Sequence, residues 1–285
     1  MKSNSDLILI LGTGYMASVY FSHFKFLNEN CLMVYRNKNS QNYKNARKRF
    51  GEEYLISREE SINLNPKILL SCVSPESHLL SIEPFISKAS LIAVEKPASL
   101  DMELMSQYVP NNQIRVLMNR RYYYWVNDIC LKAKNFLIRK IVVNIPEQYC
   151  DQSWYGIPKN IATNSIHIFD LISFICNGLK NPEFSKINKN SAFLFTSSQL
   201  VDEIIFQINY DSIENFGIKF YLKDNSLIEC CPIEEAYYYE GFKIIEADKE
   251  NYIKKYIPIK NKIPFSKNVM LYQKPGILEL CKDLI

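Results

Sequence analysis

The stretch Leu7-Ile8-Leu9-Ile10-Leu11-Gly12-Thr13-Gly14-Tyr15-Met16-Ala17 organises the first third of the chain. Its consecutive apolar residues are too few for a helix and read as a strand buried on both faces. The segment behind them matches G-x-G-x-x-A and runs into a helical pattern from Tyr15 to Leu27. In such a loop the first glycine permits a tight turn, and the second lets the backbone approach a pyrophosphate. The small third residue lets helix and strand pack closely, while the helix N-terminus offers N–H groups to phosphate. A strand before and a helix after are the context that gives this short motif meaning. Dinucleotide binding is therefore expected, with Gly12, Thr13, Gly14, Tyr15 and Met16 as contacts.

Outward from this loop the same rhythm continues. Cys31 to Tyr35, Ile68 to Val73, Leu91 to Val94 and Ile114 to Met118 read as strands. Tyr43 to Phe50, His78 to Ile86 and Leu100 to Tyr108 read as the helices between them. Apolar strands alternating with helices predict a parallel sheet covered on both faces, a doubly wound α/β domain of the Rossmann type. After about residue 120 the pattern changes. Ile138 to Ile145, Ser191 to Phe195, Glu203 to Tyr210, Phe216 to Leu222 and Ser226 to Cys230 are strand-like, with Asp224-Asn225 as a hairpin turn. One strong helix, Asn164 to Cys176, stops at Asn177-Gly178. This predicts an α+β domain on a mostly antiparallel sheet, so the expected division is a dinucleotide-binding domain over 1–120 and a substrate-binding and oligomerisation domain over 121–285.

With 285 residues, 47% hydrophobic and 22% charged, the chain has the means to bury a core. Lys and Arg outnumber Asp and Glu by only 34 to 30, and they are dispersed, which argues against a nucleic-acid partner. The eight cysteines show no metal-binding or redox spacing, so no metal site is expected and a reducing, cytoplasmic setting fits. No apolar run approaches the roughly 20 residues that span a bilayer. Asp6 and the glycine pattern mark the N-terminal apolar run as a strand rather than a secretion signal.

At the end of the second strand, an acidic residue would grip the adenosine ribose. Here the segment is Tyr35-Arg36-Asn37-Lys38-Asn39-Ser40, without a carboxylate. Arg36 and Lys38 suit a 2′-phosphate, with Asn37 beside them, and the Arg36 plane suits stacking on adenine. NADP is thereby favoured over NAD. The alternative is a solvated loop.

Four further segments carry a resemblance. Ser74-Pro75-Glu76-Ser77-His78 is similar to a P-x-x-H loop, and Glu95-Lys96-Pro97 to an E-K-P signature. Met118-Asn119-Arg120-Arg121-Tyr122 resembles an N-R-R-(F/Y) crossover, and Ser165-Ile166-His167-Ile168-Phe169-Asp170-Leu171 a G-x-H-x-x-D-L helix start. In this order, and behind the glycine loop, they resemble the glucose–fructose oxidoreductase and inositol dehydrogenase (Gfo/Idh/MocA) family as far as about residue 178. The resemblance implies an NAD(P)-dependent oxidoreductase acting on a sugar, nucleotide-sugar or related polyol, with bacterial surface-carbohydrate biosynthesis as a setting. It implies that Ser74, Pro75, His78 and Glu95 border the nicotinamide and that Lys96 lies between cofactor and substrate. It makes His167 the proton donor or acceptor. Asn119, Arg120, Tyr122 and Thr163 are the expected substrate contacts, with Arg120 and Arg121 suited either to a phosphate on the substrate or to a structural salt bridge. It also implies a homodimer or homotetramer formed through the C-terminal sheet.

The residues themselves leave alternatives standing. Without the resemblance, His167 reads as a satisfied core residue, and Asp170 as support for its helix. Tyr122-Tyr123-Tyr124-Trp125 reads either as the wall of a sugar pocket or as core, and Glu234 to Gly241 as sheet edge or dimer surface. One departure bears on chemistry: where the family often has an Asp four residues before the histidine, this chain has Thr163, which accepts no proton near neutral pH. A non-catalytic dinucleotide-binding sensor is therefore the rival reading, and a reductase for an imine or linear tetrapyrrole a third.

Overall fold

Leu7–Leu11 forms strand β1, with all of its side chains buried, and helix α1 (Tyr15–Phe26) follows the glycine loop. The computed structural model describes residues 6–108, 113–150, 153–154, 157–185, 190–213, 215–239 and 276–285. They divide into two units, one holding the described residues of Met1–Tyr122 and Asn268–Ile285, the other those of Tyr123–Lys267.

The first unit continues with β2 (Asn30–Tyr35), α2 (Gln41–Phe50), β3 (Leu55–Ser57), α3 (Arg58–Ser61), β4 (Ile68–Ser71), α4 (His78–Ile82), β5 (Leu91–Glu95), α5 (Met102–Tyr108) and β6 (Ile114–Leu117). Local chemistry marks the boundaries. Ser40 caps α2 by accepting the Tyr43 N–H, and Ser57 and Glu60 form a reciprocal capping box on α3. The strands pair in parallel in the order β3-β2-β1-β4-β5-β6, so the order reverses between β1 and β4. One face of the sheet packs under Ala17, Tyr20, Phe21 and Phe24 of α1; the other packs under Leu79, Ile82 and Phe85. This is the expected doubly wound domain, and burial on both faces is why its strands are continuously apolar.

A helix at the C-terminus, Ile277–Leu284, also belongs to this unit. Its buried residues Ile277, Leu280, Cys281 and Leu284 repeat at helical spacing and join the α1 side of the core. Gly276 leads into it at φ +78°, where a Cβ would fall 2.3 Å from the Asn119 carbonyl oxygen. Tyr122 donates to Asp283 at 2.7 Å. The expected assignment of everything from 121 to 285 to the second domain is corrected to this extent. The apolar stripe of the last helix is completed by the first core.

The second unit comprises α6 (Val126–Lys134), β7 (Ile138–Glu147), β8 (Ser153–Trp154), β9 (Ile157–Pro158), α7 (Lys159–Thr163), α8 (Ile166–Ile175), β10 (Lys180–Ser185), β11 (Ser191–Ser197), β12 (Glu203–Tyr210), β13 (Gly217–Leu222), β14 (Leu227–Cys230) and β15 (Tyr237–Tyr239). Its main sheet runs β10-β11-β12-β7-β13-β14-β15 and is antiparallel except between β12 and β7. Along β11, β12 and β13 buried side chains alternate with exposed or half-exposed ones, the mark of a sheet with one covered face. The buried set packs with Val126, Ile129, Ile168, Leu171 and Ile172 from α6 and α8. Asp224-Asn225 makes the expected turn, with Asn225 at φ +65° and Asp224 Oδ1 accepting the Ser226 N–H at 2.9 Å. Within the expected Glu234–Gly241 segment, Tyr237–Tyr239 forms the edge strand, while 240 and 241 lie outside the described residues.

Removing the Leu280 side chain leaves a cavity between helix and sheet. Leu280→Ala is expected to destabilise the first unit by about 3 kcal/mol, to be read from urea denaturation against wild type.

Candidate functional site

The glycine loop sits at the C-terminal end of β1, beside the reversal of strand order, which is where open α/β sheets take ligands. Gly12 has φ +110°, and a Cβ there would lie 2.9 Å from the Cys72 carbonyl oxygen, so only glycine fits. Gly14, the N-cap of α1, differs. Its φ of −74° suits any residue, and a Cβ would meet nothing closer than Asn42 Nδ2 at 3.7 Å. The protein's own packing therefore does not require glycine at 14, whereas a phosphate against the loop would. Among the described residues no side chain caps α1, and its first turn holds no acid. Ala17 is fully buried against the sheet, as the third position of the motif demands. This donor-rich, open cradle fits a dinucleotide pyrophosphate. Thr13 and Met16 are half-buried and Tyr15 is exposed beside it.

At the adenosine end, Arg36 and Asn37 are exposed immediately after β2. Asn37 organises the turn, accepting the Asn39 N–H at 2.8 Å. Lys38 is folded back over the Tyr35 ring, with Nζ 5.6 Å from its centre, and a hydrogen bond to the Tyr35 hydroxyl raises its pKa. Arg58 brings a second guanidinium that the sequence reading missed. The register pairs Tyr35 with Ser57, so the residues that follow them, Arg36 and Arg58, leave adjacent strand ends. Arg58 donates to the Ser81 carbonyl at 2.7 Å and lies over the Phe85 ring. Its Nη1 has no hydrogen-bond partner among the described residues. Burial, and then the charge of Arg36, lower its pKa. A three-residue strand carries too little periodicity to have marked this position.

Along the ends of β4 and β5, Ser74 and Pro75 open a short turn with Ser74 exposed. His78 is turned inward instead: 1% exposed, its Nδ1 is 2.9 Å from Ser71 Oγ. Burial lowers its pKa to about 4, opposed by the nearby Glu76 charge. The imidazole of the P-x-x-H segment therefore anchors the turn from inside, and Ser74 and Pro75 form its surface. Glu95 ends β5 as a buried carboxylate, accepting the Tyr20 hydroxyl at 2.6 Å and the Lys96 N–H at 3.2 Å. Burial, then the Glu95 charge, push the Tyr20 phenol well above its usual range, so it stays a donor. Lys96 follows, half-buried.

The crossover residues behave differently from one another. Asn119 and Arg120 are half-buried in the turn Asn119–Tyr122. Burial, then the hydrogen bond to Asp283, raise the Tyr122 pKa to about 12, and its hydroxyl is committed to that bond. Tyr123 and Trp125 are core of the second unit, Trp125 donating to the Ile233 carbonyl at 3.0 Å. For these two the pocket-wall reading gives way to the core reading, because the chain passes into the second hydrophobic cluster here.

In the second unit Thr163 ends α7, and His167 is the second residue of α8; both are half-buried, as is Asp170 one turn on. Beside the start of α8 lies a carboxylate that sequence reasoning did not find. Glu147, the last residue of β7, accepts the fully buried Ser165 hydroxyl at 2.8 Å, Asn164 Nδ2 at 3.3 Å and the Gln148 N–H at 3.1 Å. It ties the sheet to the first turn of α8, which has no acid of its own, and brings negative charge to that helix's positive end. With Pro146, Gln148, Asn164, Asp211 and Ser212 it lines a cavity of about 560 Å³. Among the described residues no group of His, Cys, Asp and Glu could hold a metal ion, and no helix is long and apolar enough to cross a membrane.

No family model matches the chain, and no curated protein matches it in sequence. Solved structures do share its fold. The MviM dehydrogenase from Clostridium difficile is 14% identical, with 98% of this chain and 89% of that one covered at a TM-score of 0.68. An oxidoreductase from Agrobacterium radiobacter, solved with NAD+, L-tartaric acid and magnesium, is 12% identical over 96% and 84% of the two chains, with a TM-score of 0.65. The WlbA dehydrogenase from Chromobacterium violaceum, solved with NADH and UDP-GlcNAcA, is 10% identical over 80% and 74%, with a TM-score of 0.61. The likeness to these dehydrogenases and oxidoreductases is one of fold, a six-stranded parallel sheet in one unit and a mixed, mostly antiparallel seven-stranded sheet in the other.

The two glycines should separate on substitution. Gly12→Ala is expected to cost about 2 kcal/mol or more through its strained φ and the Cys72 carbonyl, whereas Gly14→Ala should leave the melting temperature near wild type; differential scanning calorimetry reads both. His78 sets a pH dependence. Because its folded pKa lies below the ordinary 6.5, the unfolded chain takes up more protons as pH falls from about 6.5 to about 4. Stability should fall across that window by on the order of 3 kcal/mol, and denaturation of His78→Asn at several pH values should show a shallower slope.

Proposed function

We propose that the protein is an NAD(P)-dependent oxidoreductase acting at the carbinol or carbonyl carbon of a sugar, nucleotide-sugar or related polyol. The observation that carries this reading is the Gly12–Gly14 cradle at the reversal of strand order, whose second glycine has no role in the protein's own packing. NADP is the favoured cofactor: exposed Arg36, with Arg58 beside it, supplies guanidinium groups for a 2′-phosphate, and no carboxylate ends β2. The nicotinamide, when bound, supplies a carbon that accepts or gives a hydride. Lys96 orients the reacting oxygen through its ammonium, and a ring nitrogen of His167 takes the hydroxyl proton in oxidation or returns it in reduction. Thr163 supports alignment rather than proton transfer, and Glu147 supplies the acid nearest the start of α8. The resemblance to sugar-handling dehydrogenases supports the substrate class, and with it self-association through the half-exposed face of the C-terminal sheet.

Thr163 also favours a second reading, a nucleotide-binding sensor without turnover. Fluorescence titration with NADPH and NADH, repeated on Arg36→Ala, tests the first layer. NADPH should bind about tenfold more tightly than NADH, and the substitution should abolish the difference. Absence of saturable binding by either nucleotide would overturn the oxidoreductase. Turnover on a panel of sugars and polyols tests the second: Lys96→Ala and His167→Asn should each lower kcat at least a hundredfold. Binding without turnover on that panel would favour the sensor.

A further inference from the structure

Glu95 lies at the end of a strand whose three preceding residues, Ile92, Ala93 and Val94, are fully buried. It is itself only 9% exposed, and burying a carboxylate here carries a desolvation cost. Donors brought to its two oxygens offset that cost. The fully buried Tyr20 reaches across from α1 to one oxygen, and the Lys96 N–H bonds to the other. These bonds explain how the carboxylate is tolerated, but not why the strand ends in one.

Topology supplies a reason. A dinucleotide seated at the reversal of strand order lies with its adenosine over β2 and its other half over β4 and β5. Glu95 closes β5 on that second side. The oxidised nicotinamide ring bears a positive charge and the reduced ring bears none. A fixed anion at this edge therefore acts on one redox form and not on the other, with little solvent screening at such depth.

We infer that Glu95, held in place by Tyr20 as a positioning residue, makes the site discriminate between redox states of the cofactor, favouring the oxidised form. This rests on the proposed function. Preferential binding of the oxidised form lowers the potential of the bound couple and biases the site toward carbonyl reduction. In that direction a C–H bond forms at the substrate carbon as the hydride leaves the reduced nicotinamide. The carbonyl π electrons pass to oxygen, which takes a proton from His167, so the substrate is reduced and the cofactor oxidised.

The test needs no substrate. Dissociation constants for NADP+, NADPH and 2′,5′-ADP, which lacks the nicotinamide, are measured by calorimetry on wild type, Glu95→Gln and Tyr20→Phe. Glu95→Gln should weaken NADP+ relative to NADPH by about tenfold, equivalent to about 30 mV for a two-electron couple, and leave 2′,5′-ADP unchanged. Tyr20→Phe should move the ratio the same way by less, and it carries the test if Glu95→Gln fails to fold. Equal weakening of both redox forms, or an unchanged ratio, would overturn the inference while leaving the oxidoreductase standing. If wild type binds neither these nucleotides nor NAD+ and NADH, both readings fall together; if it binds NAD+ and NADH in their place, the same ratio is read with that pair and with ADP.

Discussion

Residue 12 lies so close to β4 that a single methyl group there would collide with the Cys72 carbonyl. That approach holds the end of β1 beside the end of β4, with the Gly12 N–H bonded to Val34 on the other flank and the Cys72 N–H bonded to Leu11. The turn into α1, the direction of its N-terminus and the open floor at Gly14 all follow from it. A phosphate-sized cradle exists because three parallel strands end at one level and the chain between them carries no side chain where they meet.

Three strands, two in the first sheet and one in the second, end in the same way. Ser71 closes β4, Glu95 closes β5 and Glu147 closes β7, and each is bonded to a helix or to the turn before one: His78 of α4, Tyr20 of α1 and Ser165 ahead of α8. A polar group at the end of an apolar strand can be buried only if a partner comes to it. The partners therefore hold sheet and helix together at the ends of these strands.

Most of this framework was legible in the residue order. Continuous apolar runs gave the parallel strands, the succession of strand-like segments around one helix gave the mostly antiparallel sheet, and glycine and Asn–Gly punctuation gave the start of α1 and the end of α8. What was missed depends on contacts remote in sequence. Leu55–Ser57 is a strand because it lies along β2, and Arg58 gains its neighbour Arg36 only through that register. Glu147 meets α8 only once the sheet has formed, and nothing near Thr163 in sequence points to it. The aromatic run Tyr122–Trp125 was ambiguous because rings suit pockets and cores equally. Its divided outcome, Tyr122 bound to Asp283 and Trp125 packed near Phe220, reflects the boundary between units crossing it.

The C-terminal helix makes the second unit an insertion within the first, in the manner of a parenthesis. Synthesis proceeds from the N-terminus, so the six parallel strands emerge long before the helix that seals the α1 side of their core. The described strands of the inserted unit's sheet are all made earlier than that helix. Translation therefore favours a late finish for the first unit, with the apolar surface awaiting Ile277, Leu280 and Leu284 exposed until that helix is made. A chain released early would keep its glycine loop in sequence and lack the closing piece of the core beneath it.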